Sequence, residues 1–173
     1  MKKVIFLCAI AVLAISACQQ GPVRYTQDSP EIDTVKQLVS NYNSKSYDTS
    51  MYADTSQTFY NTINNPMSPS EAMEFHKQTD QNYASRGFGG DNMEYEMVIT
   101  DDGETWVNCW LGWKGTLAAN NKDIYIPIHL TYQFVDGKIV REYGYWDGSQ
   151  VMIELQKIEA EAKMAEEEME PME

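Results

Sequence analysis

Asp147 is the side chain whose type and surroundings in this sequence best suit chemistry. It follows Tyr145 and Trp146 in the stretch GYWDGSQ, at the predicted end of a strand. A carboxylate enclosed by aromatic rings loses its hydration, which raises its pKa towards the range of a useful general base. The same carboxylate could instead cap a helix that is predicted to start at Ser149, because aspartate accepts hydrogen bonds from the first amides of a helix. Asp147 is therefore a candidate catalytic base or a candidate helix cap.

The register of the last two predicted strands decides which side chains share a face with Asp147. Asp136 and Gly137 form a strong two-residue hairpin signal, and counting outward from it aligns the two strands position by position. Because side chains alternate, every second residue of each strand then lies on one face. On this face Arg141 could pair with Asp147 or receive an anionic ligand. The face is largely apolar and is therefore predicted to be the buried side of the sheet; it includes Ile128, Leu130, Tyr132, Arg141, Tyr143, Tyr145 and Asp147.

The histidine and cysteine side chains are not predicted to lie close to Asp147. Parity places His129 on the opposite face of its strand unless a bulge shifts the register, and His76 lies on a separate predicted helix. Two histidines without further clustered ligands predict no metal site, and no motif predicts a cofactor. Cys109 lies in the aromatic stretch WVNCWLGW, which favours a buried apolar role over a nucleophile.

Periodicity and turn residues predict the elements that position these side chains. A first helix begins after Asp28 or Ser29, and a second begins after Ser68, where Glu71 completes a capping box, and runs to about Tyr83. The stretch TSQTFYNT between them favours a strand. From residue 93 onward the pattern changes to period two, which predicts four strands of an antiparallel meander over 93–100, 105–116, 124–134 and 138–147.

The C-terminal segment is predicted to be an acidic helix that starts at Ser149. Its apolar positions form one seam, and alanine replaces the larger side chains beyond Ile158. We expect the first turns to pack on the domain and the glutamate-rich end to be solvated. The alternative is a coiled-coil seam for a partner helix.

The order of these elements resembles the nuclear transport factor 2-like superfamily, which includes the SnoaL-like polyketide cyclases and ketosteroid isomerase. The matching features are the hairpin F-x-D-G-K-I from Phe134 to Ile139, the step Trp146–Asp147, and MYAD before the first strand. The resemblance implies an α+β fold, a cone-shaped roll with N-terminal helices packed on the concave face of a curved antiparallel sheet, plus the C-terminal acidic helix. It also implies a ligand pocket on the concave face, whose wall would be the buried face described above. Asp147 would then match the general base of SnoaL-like cyclases. The acid and oxyanion-hole residues of ketosteroid isomerase have no match.

The N-terminus resembles the signal of a bacterial lipoprotein. A basic start precedes an apolar run that is too short for a comfortable transmembrane span, and Ile15 to Cys18 resembles a lipobox. The predicted domain organisation is 1–17 signal peptide, 18–27 lipidated Cys18 and tether, 28–157 nuclear transport factor 2-like domain and 158–173 acidic helical tail. Gln19 after the cysteine favours the outer membrane of a Gram-negative bacterium over inner-membrane retention.

Charge and fold together narrow the predicted function. A formal net charge of −13 argues against binding to nucleic acid. We predict a membrane-anchored protein whose pocket binds a small, mostly apolar ligand without catalysis. The alternatives are a cyclase- or isomerase-type enzyme that uses Asp147 as its base, and a protein-interaction module. The outer sheet face, with Tyr125, Val140 and Trp146, could pair two protomers as a homodimer.

Overall fold

The computed structural model describes residues 23–91 and 93–169, and this part of the chain forms three helices and seven strands. The predicted signal peptide, Cys18 and the first part of the predicted tether lie outside the described residues. The helices are α1 (Pro30–Asn43), α2 (Pro69–Asp80) and α3 (Ser149–Met169). The strands are β1 (Tyr25–Thr26), β2 (Tyr52–Tyr60), β3 (Tyr83–Phe88), β4 (Glu94–Ile99), β5 (Thr105–Leu117), β6 (Asp123–Val135) and β7 (Lys138–Trp146).

The first two helices begin at the caps that the sequence predicts. The Ser29 hydroxyl accepts a hydrogen bond from the Ile32 amide at 3.3 Å, which satisfies an otherwise unpaired donor of α1. In α2 the Glu71 amide donates to the Ser68 hydroxyl at 3.3 Å, and Glu71 Oε2 accepts from the Ser68 amide at 2.7 Å. Both N-terminal predictions are confirmed. The second helix ends at Asp80, earlier than predicted.

The sheet is curved, open and mixed, in the order β1-β4-β5-β6-β7-β2, with β3 also paired to β5. The helices pack against its concave face, so the predicted α+β roll is confirmed. The sheet is not wholly antiparallel, because β2 runs parallel to β7. The meander prediction holds for β4, β5, β6 and β7, which pair antiparallel in chain order.

Two strands are absent from the sequence prediction. The predicted second helix runs to about Tyr83 and no strand is predicted directly after it, yet β3 (Tyr83–Phe88) begins there, in a glycine-rich stretch, and pairs with β5. Within the predicted tether, Tyr25 and Thr26 pair with Val98 and Met97 of β4. The sequence does not predict these strands because β3 contains glycine and β1 is only two residues long. Neither strand has the alternating apolar pattern that identifies a longer strand.

The predicted hairpin forms, but the register beyond its first pairs is shifted. Asp136 and Gly137 take positive φ values of 49° and 73°, as the two central residues of this turn require. Val135 pairs with Lys138, as predicted, and the next pair, Phe134 with Ile139, is also as predicted. Arg141 then lies opposite Gln133, so a β-bulge leaves Val140 as an extra residue in β7.

The bulge reverses the face of every β7 side chain that follows it. Glu142, Gly144 and Trp146 pair with inward-facing residues of β6, so they lie on the concave face. Arg141, Tyr143 and Tyr145 consequently lie on the convex face, and the prediction that they share the pocket face is wrong. A one-residue shift has this effect because successive side chains of a strand point in opposite directions.

The last helix covers one end of the concave face. Its first turns pack on a cluster of buried side chains from β5 and β6, through Val151, Leu155 and Ile158. The carboxylate of Glu154 anchors the helix further, because it pairs with Lys122 at 2.7 Å and with Lys157 at 2.9 Å. Residues 159–168 are exposed, as predicted for the glutamate-rich end. Within residues 23–91 and 93–169, no helix combines the length and the apolar content that crossing a bilayer requires.

Candidate functional site

A cavity of about 390 Å³ lies between the three helices and the concave face of the sheet. Its volume falls within the usual range of small-molecule sites, and most of its wall is apolar or aromatic. Each surrounding element contributes large side chains to this wall, including Leu38, Met73, Phe88, Ile126, Leu130 and Leu155.

Glu142 provides a buried carboxylate in the wall of this cavity. Its side chain is only 3% exposed. The Tyr52 hydroxyl donates to Oε2 at 2.9 Å, the Thr58 hydroxyl donates to Oε2 at 3.3 Å, and the Tyr60 hydroxyl donates to Oε1 at 3.2 Å. All three donors come from β2, which the parallel pairing with β7 places beside Glu142. In the part of the chain that the structure describes, no basic side chain forms a salt bridge with this carboxylate.

Burial determines the protonation behaviour of Glu142. Removal from water raises the pKa of its carboxyl, and the hydrogen bonds from Tyr52, Tyr60 and Thr58 oppose this rise without cancelling it. The group therefore holds its proton more tightly than a surface glutamate does. A carboxyl whose pKa is raised in this way is a stronger base than a surface glutamate and can both accept and return a proton.

A hydrogen-bond chain extends from Glu142 to His76. The Tyr60 hydroxyl lies 3.2 Å from Glu142 Oε1 and 3.0 Å from His76 Nε2. Burial and the positive charge of Arg86 lower the pKa of His76 to about 4, so its imidazole is neutral at pH 7. A neutral ring can donate from Nε2 to the Tyr60 hydroxyl, which donates in turn to the carboxylate. These three side chains can therefore pass a proton along the cavity wall.

A buried ion pair supports the wall on the side of α1. Arg86 donates from Nη2 to Asp80 Oδ2 at 2.7 Å, and the Tyr47 hydroxyl also donates to Asp80. The guanidinium lies 3.7 Å from the ring centroid of Tyr42, whose hydroxyl accepts from Trp113 Nε1 at 2.9 Å. The pair therefore fixes the position of Tyr42 in the wall.

The predicted pocket residues divide into two groups. Ile128, Leu130 and Tyr132 lie in the cavity wall, and their role in ligand binding remains a prediction. Tyr143 and Tyr145 lie on the convex face, where their rings stack with centroids 6.4 Å apart. Arg141, Tyr143, Tyr145 and Asp147 do not line the cavity. The bulge at Val140 accounts for the displacement of the first three.

Asp147 is an exposed residue beyond the end of β7. Its Oδ1 accepts a hydrogen bond from the Ser149 amide at 2.9 Å. Hydrogen bonds from the backbone and the side chain of Ser149 lower the pKa of Asp147, which is opposite to the shift that a buried base needs. Among the described residues it forms no ion pair with Arg141. The position of Asp147 thus fits an interaction with the start of α3.

Cys109 and His129 are the two other side chains of the sheet whose surroundings the sequence predicts. Cys109 is fully buried, and burial raises the pKa of its thiol to about 12, which suits the predicted core role. His129 lies on the convex face and stacks on Trp110, with ring centroids 5.0 Å apart. No group of three or more potential ligands in residues 23–91 and 93–169 could hold a metal ion.

The convex face of the sheet carries several exposed aromatic side chains. Trp110, Tyr125 and Tyr145 are 44%, 56% and 42% exposed. Trp146, which was predicted on this face, lies in the cavity wall instead, and Val140 is half-buried at the bulge. The face is thus aromatic, as predicted, but with a different set of residues.

Comparisons with known proteins identify the fold and not a function. No family model matches the sequence, and no curated protein matches it. Among solved structures, a nuclear transport factor 2-like protein of unknown function from Burkholderia pseudomallei has a TM-score of 0.58 at 10% identity. That match covers 72% of this chain and 96% of the other chain.

Two further structures extend this likeness. A protein described as a SnoaL-like polyketide cyclase, from Jannaschia sp., has a TM-score of 0.55 at 14% identity, over 78% of this chain and 94% of the other. A protein with a ketosteroid isomerase-like fold from Catenulispora acidiphila, in complex with trimethylamine, has a TM-score of 0.50 at 11% identity, over 64% and 82%. The chain therefore has the nuclear transport factor 2-like fold shared by SnoaL-like proteins.

Proposed function

We propose that the protein binds a small, mostly apolar molecule in the cavity between the helices and the sheet. The observation that carries this proposal is the carboxylate of Glu142, set with three hydroxyl donors into an otherwise apolar wall. Burying such a group costs stability that apolar packing would not, so its presence in a cavity wall favours a binding role. The trimethylamine complex of the similarly folded Catenulispora protein supports the view that this architecture admits small molecules.

Filling the cavity tests this proposal. Met73 of α2 lines the cavity, whereas Glu74 on the same helix is exposed. Replacing Met73 with tryptophan should abolish binding of a neutral apolar dye such as Nile red, because the larger ring occupies the space. Glu74→Trp adds the same ring outside the cavity and should leave binding unchanged. A fluorescence titration that shows equal dye binding by both variants would contradict the proposal.

Proton-transfer catalysis in the same cavity is a second candidate function. The chain of hydrogen bonds through Glu142, Tyr60 and His76 favours it, since a buried carboxyl linked to an imidazole can accept and return a proton. In such a cyclase- or isomerase-type enzyme, Glu142 would take the role that the sequence suggested for Asp147. Base-catalysed exchange of the α-hydrogens of a small ketone in D₂O, lost in Glu142→Gln, would separate catalysis from binding alone.

We further propose that lipid on Cys18 anchors the protein in the bacterial outer membrane. Support comes from the basic start, the apolar run and the lipobox-like end of the leader. Such an anchor holds a protein at the bilayer without a spanning helix. The cavity would then bind its ligand at the cell envelope.

The convex face of the sheet is proposed as a contact between two protomers. The rings of Trp110, Tyr125 and Tyr145 on this face are exposed. Exposed apolar patches of this kind often mark contacts between proteins. A two-fold pairing of this face would cover the rings with the same rings of a second copy.

A further inference from the structure

The charged side chains that line the cavity are all acidic. The wall contains two acidic side chains, Glu142 and Asp48, and none of its described residues is lysine or arginine. Arg86 lies behind Tyr42, outside the wall, and its charge is matched by Asp80. His76 is neutral at pH 7 because its pKa is lowered to about 4. Lys77 lies outside the wall as well, 5.2 Å from the ring centroid of Tyr47. Among the described residues, no lysine or arginine forms a salt bridge with Glu142, so an ionised Glu142 has no directly paired counter-ion.

Aromatic side chains form much of the cavity wall. Ten of the residues in the wall are tyrosine, phenylalanine or tryptophan. The ring of Tyr60, whose hydroxyl contacts Glu142, lies 5.3 Å from the ring of Trp146 and 5.7 Å from that of Phe75. The faces of such rings carry partial negative charge and attract cations, most strongly where water is excluded. This end of the cavity thus combines ring faces with a buried anion.

We propose that the cavity takes an organic cation, with an alkylated ammonium group held near the Tyr60 and Trp146 rings in the field of Glu142. This inference rests on the proposed binding function and specifies the class of ligand. When Glu142 is ionised, a neutral ligand would leave the buried carboxylate without a counter-charge, and an anionic ligand would be repelled by it. An ammonium group provides the missing positive charge, while its methyl groups suit the apolar wall.

Binding of a cation should be linked to the ionisation of Glu142. The titratable groups that face this carboxyl are the hydroxyls of β2 and β6, the thiol of β5 and the imidazole of α2: Tyr52, Tyr60, Tyr132, Cys109 and His76. Burial raises the pKa of the tyrosines and of the thiol, and the imidazole titrates near 4. Burial also raises the pKa of Glu142 above its usual value of 4.5. Cation affinity should therefore rise with pH as Glu142 loses its proton.

A matched pair of probes tests the proposal. Choline and 3,3-dimethylbutan-1-ol have nearly the same shape, but only choline carries a positive charge. Isothermal titration calorimetry at pH 8 should show choline binding about tenfold more tightly than the neutral alcohol. Glu142→Gln should reduce this ratio to about twofold or less. Asp147→Asn, which removes a carboxylate outside the cavity at the same end of β7, should keep the ratio of the unmodified protein.

The outcomes separate this inference from the binding function on which it rests. If the neutral alcohol binds as tightly as choline, or only the alcohol binds, the cation proposal is wrong and the cavity still binds small molecules. If neither probe binds and Nile red does not bind either, both proposals are wrong. If circular dichroism shows that Glu142→Gln does not fold, Trp146→Leu tests the cation proposal instead, since it removes a ring and keeps the carboxylate. We expect it to lower the ratio of choline affinity to alcohol affinity. An unchanged ratio in that variant overturns the proposal.

Discussion

Two buried side chains of the same hydrogen-bond chain respond to pH in opposite ways. Burial raises the pKa of Glu142 above its usual value of 4.5, so the folded protein keeps this proton where the unfolded chain has lost it. Burial and Arg86 lower the pKa of His76 from 6.5 to about 4, so the folded protein lacks this proton where the unfolded chain has gained it. Stability therefore falls as pH rises above about 4.5 because of Glu142, and falls as pH drops below about 6.5 because of His76.

Replacing either side chain should reduce the pH dependence of the unfolding free energy in the range where that side chain titrates. In Glu142→Gln, the loss of unfolding free energy between pH 5 and pH 8 should be smaller than in the unmodified protein. In His76→Gln, the loss between pH 6.5 and pH 4.5 should shrink, by at most about 3 kcal/mol for a shift of this size. Urea unfolding across this pH range measures both effects. Profiles that stay parallel to that of the unmodified protein would show that neither group titrates differently on folding.

At the level of the elements, the single extra residue at Val140 decides which side chains reach the cavity. The sequence predicts the helices, the hairpin and the inward face of β6, because caps, turn residues and alternation are local signals. The bulge has no such signal in β7, because each of the two alternating sets of residues mixes a charged side chain, Arg141 or Glu142, with apolar or aromatic ones. Gly144 was one available clue: a Cβ there would lie 2.9 Å from the Trp146 ring and 3.0 Å from the Tyr60 ring. Such crowding belongs to an inward position.

Long-range pairing accounts for the rest of what the sequence did not reveal. The parallel contact between β2 and β7 brings Tyr52 and Thr58 to Glu142, and no local pattern in either strand indicates it. The same holds for Arg86, which reaches Asp80 only because its glycine-rich segment joins the sheet. The part of the cavity wall that β6 contributes could therefore be predicted, but the part that β7 contributes and the polar centre of the wall could not.

The convex face provides a test at the same level. Trp110→Glu would place a charge among exposed rings, and burying that charge against its symmetry copy would be unfavourable. If this face pairs two protomers, the variant should sediment as a monomer at concentrations where the unmodified protein is a dimer. Unmodified protein that remains monomeric at high concentration would remove the dimer proposal.

For the whole molecule, the proposed location depends on residues that precede the described fold. The fold begins only a few residues after Cys18 in the sequence, since Arg24 pairs with Asp101 at 2.7 Å and Tyr25 lies in β1. A lipid on Cys18 would therefore hold the β1 edge of the sheet near the bilayer surface. The distance between the cysteine and the sheet is only a few residues of chain, which limits how far the domain can move from the membrane.

Replacing Cys18 with alanine tests the anchor. The variant should lose metabolic labelling by a fatty-acid analogue, because the acylated sulfur is absent, and should no longer be extracted with outer-membrane lipids. Cys109→Ala is the matched control, since it removes the buried cysteine of the fold and should leave labelling intact. Label that persists without Cys18 would contradict lipidation at this residue.

The parallel contact between β2 and β7 also governs when the protein can become functional. The three hydroxyls that hold Glu142 lie 90, 84 and 82 positions before it in the chain. Contacts of such long range form late and slowly, because the intervening chain must first be ordered. A growing polypeptide therefore carries β2 without its neighbour until almost the whole sequence has been made. The cavity can therefore bind ligand only once the last step of folding is complete. Ligand that is present at that step would stabilise the completed fold and would not affect the early collapse of the chain.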